Sequence, residues 1–115
     1  MTSCIFCKII NKEISAEVIH EDDGLIVLND INPKARIHIL IIPKKHISSI
    51  ANAREEDIAL LGRCLFQAKL IARKKEINET GYKIVINTGS DGGQIVPHLH
   101  IHLLGGEKLS GNNLV

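Results

Sequence analysis

The chain has 115 residues and a mass of 12.7 kDa, room for one domain with one core. Apolar residues make up 44% and charged residues 23%, a globular balance, and a net charge of +1 supplies no overall field to gather nucleic acid. With 3% aromatic residues there is little material for base-stacking platforms, so a nucleic-acid polymer is excluded as the main partner.

The longest apolar stretch, Ile37 to Pro43, is interrupted by His38 and falls far short of the roughly 20 residues that cross a bilayer. The start Met1-Thr2-Ser3-Cys4 lacks the basic and apolar regions of a secretory signal, and three cysteines make an odd, sparse set. A reducing compartment, the cytoplasm, is expected, with no membrane partner. No repeat or linker divides the chain, so residues 1–115 are expected to form a single domain, with a core over 4–106 and a tail over 107–115 that frays or docks.

In chain order, Glu17–Glu21, Leu25–Asn29 and Ile37–Ile42 are rich in Val and Ile and are punctuated by Asp23-Gly24 and Asn32-Pro33. They predict three sequential antiparallel strands, since the connections are too short for crossovers. From Arg54 to Ile77, Ile58, Leu61, Leu65, Ala68 and Ile71 or Ala72 recur at helical spacing, and Asn78 and Gly81 supply stop signals. Tyr82–Asn87 and His98–Leu104 return to a strand pattern. Strands packed against segregated helices give an α+β class. Cys64 is best explained by packing, His20 by exposure on a strand, and Lys44 and Lys45 by solvation.

The chemistry concentrates in Pro97-His98-Leu99-His100-Ile101-His102-Leu103-Leu104. In a strand, side chains two apart share a face, so the three imidazoles line one surface while Leu99, Ile101 and Leu103 enter the core. The outer α-carbons lie about 13 Å apart at about 3.4 Å per residue, too far for all three rings to ligate one ion through bonds of about 2 Å. A division of labour follows: one ring as nucleophile, the others as hydrogen-bonding partners or a metal ligand. Just upstream, Asn87-Thr88-Gly89-Ser90-Asp91-Gly92-Gly93-Gln94 is glycine-rich enough for backbone N–H groups to approach a phosphate, with amide donors in Asn87 and Gln94. It is neither a Walker A sequence nor a Rossmann fingerprint.

Gly92-Gly93-Gln94, then His98-x-His100-x-His102 and Gly105-Gly106, together with Cys4-Ile5-Phe6-Cys7-Lys8-Ile9-Ile10, Asn29-Asp30-Ile31-Asn32-Pro33 and His38 through His46-Ile47, resemble the histidine triad (HIT) family in its nucleotide-binding branch. The resemblance implies a five-stranded antiparallel sheet with one long and one short helix, and a homodimer joined across a two-fold axis. It implies a nucleoside phosphoramidase-type hydrolase or transferase acting on P–N linked purine nucleoside monophosphates, with a transient nucleotidyl-histidine. His100 would be the nucleophile, His102 a phosphate contact, and His98 and His38 members of the histidine cluster.

Further positions matching the family pattern are Asn87, Gly93 and Gln94 for phosphate or sugar, Asp30 for the ribose hydroxyls, and Phe6, Ile9, Ile14, Leu28 and Ile31 for the base. Read without the family, Asp30 is equally a turn cap and the apolar residues are ordinary core. Catalysis needs no cofactor in this scheme. Some family members hold zinc on a set matching Cys4, Cys7, His46 and His98; by composition alone the two thiols are equally small buried hydrophobes. A dinucleoside-polyphosphate hydrolase and a non-catalytic nucleotide sensor or interaction module are the alternatives. Three departures from the family stand out: Ile95 stands where many members carry Ser or Thr beside the leaving group, Pro97 replaces an aromatic residue seen in some, and the tail lacks the Trp-Pro-Pro-Gly ending that in relatives helps shape substrate selectivity.

Overall fold

The computed structural model describes residues 3–113 and 115; positions 1, 2 and 114 of the predicted domain lie outside the described residues. Its elements run α1 (Ile5–Ile10), β1 (Val18–Glu21), β2 (Leu25–Asn29), β3 (Ile37–Pro43), α2 (Ile58–Lys74), β4 (Tyr82–Val85) and β5 (Ile101–Gly105), with 3-10 turns at Ile50–Asn52 and Glu55–Asp57 leading into α2. The strands form one sheet in the order β1-β2-β3-β5-β4, every neighbouring pair antiparallel. The expected architecture, five antiparallel strands with one long and one short helix, is the one observed.

Alternation along the strands sorts side chains onto two covered faces. Leu25, Val27, Ile39, Ile41, Ile101 and Leu103 pack with Cys64, Ala68, Ile71 and Ala72 of α2. On the other face Ile26, Leu28, Leu40 and Ile42 pack with Cys4 and Phe6 of the α1 region. Because Leu40 pairs with His102 and His38 with Leu104, the histidine-bearing positions of β3 and β5 lie on the α1 side. Two-sided burial explains why β2 and β3 read as almost unbroken apolar runs. Among the described residues no helix is long and apolar enough to cross a membrane.

Several expectations need correction. The helix predicted over 54–77 is α-helical only from Ile58 to Lys74. Its entry is a 3-10 turn in which the buried Asp57 carboxylate accepts from the Arg54 N–H at 2.9 Å and pairs with Lys45 Nζ at 2.6 Å. Its exit is set by Glu76, which adopts φ +61° while the Ile77 N–H reaches back to the Ala72 carbonyl at 3.0 Å, a Schellman-type closure. The buried seam is also rotated: Cys64 and Ala68 face the sheet, whereas Ile58 is 67% and Leu65 45% exposed. The helix carries apolar residues on two stripes, and the small side chains of Cys64 and Ala68 are those that admit close docking on the strands.

The last strand begins at Ile101 rather than His98. His98 sits in a bend, its N–H bonded to the Val96 carbonyl at 2.8 Å, and Leu99 N–H donates to the Ile47 carbonyl at 2.7 Å. The strand predicted over 82–87 ends at Val85, and the strand predicted from Glu17 starts at Val18. Of the tail's two alternatives, docking is the one seen at Asn113, which is buried and donates Nδ2–H to the Lys34 carbonyl at 2.5 Å.

Candidate active site and metal-ligand cluster

A cavity of about 580 Å³ opens on the α1 side of the sheet. Its walls include Phe6, Ile9 and Ile14, then Leu28, Asp30 and Ile31, and on the far side Asn87, Gly93, His38, His100 and His102. A larger cleft of about 680 Å³, between the end of α2 and Gly106–Lys108, contains none of the predicted site residues.

The hydrogen bonds fix the state of each ring. The His100 Nδ1 lies 2.7 Å from the His98 carbonyl oxygen. A carbonyl only accepts, so in neutral His100 the proton sits on Nδ1 and Nε2 is left with a lone pair. The Lys34 N–H donates to His38 Nδ1 at 3.0 Å, which puts the His38 proton on Nε2. That nitrogen is 3.0 Å from His102 Nδ1 and 3.4 Å from Asp30 Oδ2. His102 therefore accepts at Nδ1 and carries its own proton on Nε2, on a ring that lines the cavity. One cavity thus presents a basic nitrogen and a donor on adjacent rings whose centroids are 4.9 Å apart.

Burial keeps these rings neutral. Desolvation lowers the pKa of His98 and His100, and for His102 desolvation, with the neighbouring His100 and His38, brings it to about 4. His38 is lowered first by desolvation, with the Asp30 carboxylate opposing and the Lys34 ammonium assisting. At pH 7 the cluster holds imidazoles, not imidazolium ions.

Several predicted contacts are placed differently from expectation. Gln94 does not line the cavity: its Nε2 donates to the Ser48 and Val96 carbonyls at 2.7 and 3.0 Å, and its Oε1 accepts from Gly89 N–H at 3.0 Å. The N–H groups of Gly93 and Gln94 close the turn onto the Ser90 and Gly89 carbonyls, both at 3.0 Å, so the loop is braced from within. Asn87 lines the cavity while its Nδ2 holds the Gly92 and Val115 carbonyls. Ile31, expected in an apolar slot, is 90% exposed at the rim, as is Ile95. Asp30 both caps its turn, accepting from Asn32 N–H at 2.8 Å, and faces the cavity. Sequence reasoning missed the groups that orient the rings, because these are backbone atoms without a side-chain signature: the Lys34 N–H and the Pro43 and His98 carbonyls.

The third triad histidine belongs to a second cluster. His98 is fully buried and its Nε2–H donates to the Pro43 carbonyl at 2.8 Å, leaving Nδ1 as a ligand atom. Around that nitrogen stand His46 Nδ1 at 3.0 Å, Cys4 Sγ at 3.3 Å and Cys7 Sγ at 3.6 Å, and all four donor atoms lie within 4.8 Å of one another. A tetrahedral zinc ion with bonds of about 2.0 Å to N and about 2.3 Å to S has N···N edges of about 3.3 Å and N···S edges of about 3.5 Å. The donor set fits zinc in both geometry and chemistry.

The family model described as "Scavenger mRNA decapping enzyme C-term binding" matches residues 3–113. The crystal structure of a HIT family hydrolase from Legionella pneumophila Philadelphia 1 superposes with a TM-score of 0.92 at 45% identity, covering 95% of this chain and 97% of that one. The chain belongs to the HIT family. A HIT structure from Candida albicans, a histidine triad nucleotide-binding protein, matches with a TM-score of 0.80 at 34% identity, covering 88% of this chain and 73% of that one. The "14 kDa zinc-binding protein" of Zea mays is 46% identical over 108 residues, 92% of this chain and 84% of that protein. This HIT chain accordingly has the nucleotide-binding hydrolase fold of its family, and its Cys₂His₂ cluster can accommodate a structural zinc ion.

Proposed function

We propose that this HIT protein is a purine nucleotide-binding hydrolase or transferase of the nucleoside phosphoramidase type, working through a nucleotidyl-histidine. The observation that carries the reading is the 2.7 Å contact from His100 Nδ1 to the His98 carbonyl, which presents Nε2 of the same ring as a lone pair in the cavity. In the first step that lone pair forms a bond to the α-phosphorus of a P–N linked nucleoside monophosphate. The P–N bond breaks, and the amine leaves with a proton supplied by solvent water. In the second step water attacks the phosphorus and gives up a proton to solvent, the N–P bond to His100 breaks, and the monophosphate departs, which balances the proton taken up by the amine. The His102 Nε2–H stabilises the charge that develops on the non-bridging oxygens.

The Asp30 carboxylate faces the ribose hydroxyls, and the base lies against Phe6, Ile9, Ile14 and Leu28, an apolar wall that selects a purine by size. Zinc, when bound at Cys4, Cys7, His46 and His98, supplies structural cross-linking of α1 to the triad segment. His98 is thereby reserved for the metal and His100 for the chemistry.

The protein acts as a homodimer in this reading. β4 is an edge strand on which Ile84 is 38% exposed, and α2 exposes Phe66 and Leu70. An apolar surface beside an unpaired strand edge suits a second copy of the chain.

The test is incubation with adenosine 5′-phosphoramidate followed by acid-free quenching and peptide mass spectrometry. AMP release with a nucleotidyl adduct on His100, and loss of both in His100→Ala with nucleotide affinity retained, is the expected result. Equal turnover in His100→Ala overturns the mechanism. Faster cleavage of a P–O–P dinucleotide than of the P–N substrate makes the protein a polyphosphate hydrolase instead, and binding without turnover makes it a sensor.

A further inference from the structure

The segment that carries the nucleophile is templated, contact by contact, on residues 43–48. The Pro43 carbonyl holds His98 Nε2–H at 2.8 Å, the Ile47 carbonyl holds the Leu99 N–H at 2.7 Å, the Ser48 carbonyl holds Gln94 Nε2 at 2.7 Å, and His46 Nδ1 stands 3.0 Å from His98 Nδ1. His98 joins this template to the reacting ring, because its side chain belongs to the Cys₂His₂ cluster while its carbonyl accepts from His100 Nδ1. A second path runs through α1. Phe6 lies between the two cysteines and sets its ring edge against both His98 and His100, with centroids 5.8 and 5.1 Å away.

We propose that Cys4, Cys7, His46 and His98 form a positioning device for His100, so that metal occupancy at the cluster and nucleotide occupancy at the cavity are thermodynamically linked through the His98 peptide and Phe6. The inference rests on the reading above for the role of His100 and goes beyond it by assigning work to the cysteines and to His46. A ring held by one 2.7 Å bond to a backbone carbonyl follows that carbonyl, and a misplacement of about 1 Å at a reacting centre can cost about a hundredfold in rate. Without a central ion the donor atoms are tied only by thiol–imidazole contacts of 3.2 to 3.6 Å, weaker than metal bonds, so α1 and the His98 bend are held to each other less firmly than when an ion bridges them. Linkage is reciprocal: whatever factor the metal adds to nucleotide affinity, nucleotide adds to metal affinity.

The experiment uses the full chain, stripped with a chelator or loaded with zinc or cobalt(II). The first readout needs no nucleotide: in ¹⁵N-labelled protein the His100 Nδ1–H resonance is slow to exchange when loaded and broadened or lost when stripped. The second is the metal Kd, by competition with a chromophoric chelator, with and without saturating AMP, beside the AMP Kd of loaded and stripped protein. Both constants shift by the same factor, about tenfold, and the cobalt(II) visible band moves when AMP binds. His46→Ala abolishes metal binding and leaves AMP affinity at the stripped value, while His46→Cys, which restores a four-ligand set, recovers both.

Identical His100 resonances in loaded and stripped protein, or AMP binding with an unchanged metal Kd, overturns the coupling and leaves the proposed function standing. A stripped chain that loses its far-ultraviolet circular dichroism overturns it in favour of a purely structural role. A chain that takes up neither zinc nor cobalt(II) also overturns it. Absence of AMP binding in both forms defeats the proposed function itself, and the His100 resonance then decides the positioning role alone.

Discussion

His38 Nε2 and His102 Nδ1 lie 3.0 Å apart although 64 residues separate them in the chain. Their contact is a directed hydrogen bond whose polarity is set from outside, by the Lys34 N–H on His38 Nδ1. It determines which nitrogen of His102 offers a proton to the cavity. His38→Ala removes that control, and His102 is then at liberty to carry its proton on either nitrogen. The expected result is a fall in kcat of about a hundredfold, in the range seen when one donor to a developing oxyanion is removed, with KM changed much less. Steady-state kinetics on the phosphoramidate substrate checks it, and an equal loss in KM alone contradicts the assignment.

The same buried rings make stability depend on pH. His102 titrates near 6.5 when unfolded and near 4 in the fold, where desolvation and its histidine neighbours oppose the charge. Below pH 6.5 the unfolded chain binds the proton that the folded chain refuses, so stability is full above 6.5 and falls as the pH drops toward 4. For this group alone the loss is on the order of 3 kcal/mol. Urea titrations at pH 7.5, 5.5 and 4.5 should show a falling midpoint, and a flat profile refutes neutral burial of the cluster.

Helix α2 ends on a residue with no glycine's freedom. Glu76 holds φ +61°, which costs a non-glycine residue about 1 kcal/mol. Glu76→Gly should stabilise the fold by up to about that amount, partly offset by the added entropy of the unfolded chain. Thermal melting of the two proteins, expected to differ by a few degrees in favour of the variant, decides it.

The exposed stripe of α2 provides a test of assembly. Phe66 is 56% exposed and faces away from the sheet-docking seam. Phe66→Glu places a charge in the proposed two-fold contact and should convert dimer to monomer in sedimentation velocity, with the far-ultraviolet circular dichroism unchanged. A wild-type chain that is already monomeric at micromolar concentration removes the dimer from the proposal.

The alternation of His98, His100 and His102 with aliphatic residues was legible at once, because period two is a local property of extended backbone. The same holds for the β-branched runs of β2 and β3, whereas the helix stop read at Asn78 and Gly81 comes earlier, at Glu76. Less legible was the seam of α2: its sequence carries two apolar stripes, and sheet docking selected the one with small residues, Cys64 and Ala68. Gln94 shows the limit on side-chain roles, since an amide suited to phosphate and an amide suited to bracing a loop are the same residue until its neighbours are placed.

By itself, then, the sequence determined the element types, the face on which the histidines stand and the family to which the chain belongs, all of them set by local periodicity and by motifs in order. Only the tertiary structure decided that His98 joins Cys4, Cys7 and His46 while His102 joins His38 and His100 turns to the His98 carbonyl. Those partnerships span up to 94 residues of chain and depend on backbone carbonyls and N–H groups that every residue possesses. Which of them meets a given ring is settled by packing, and no local pattern encodes it.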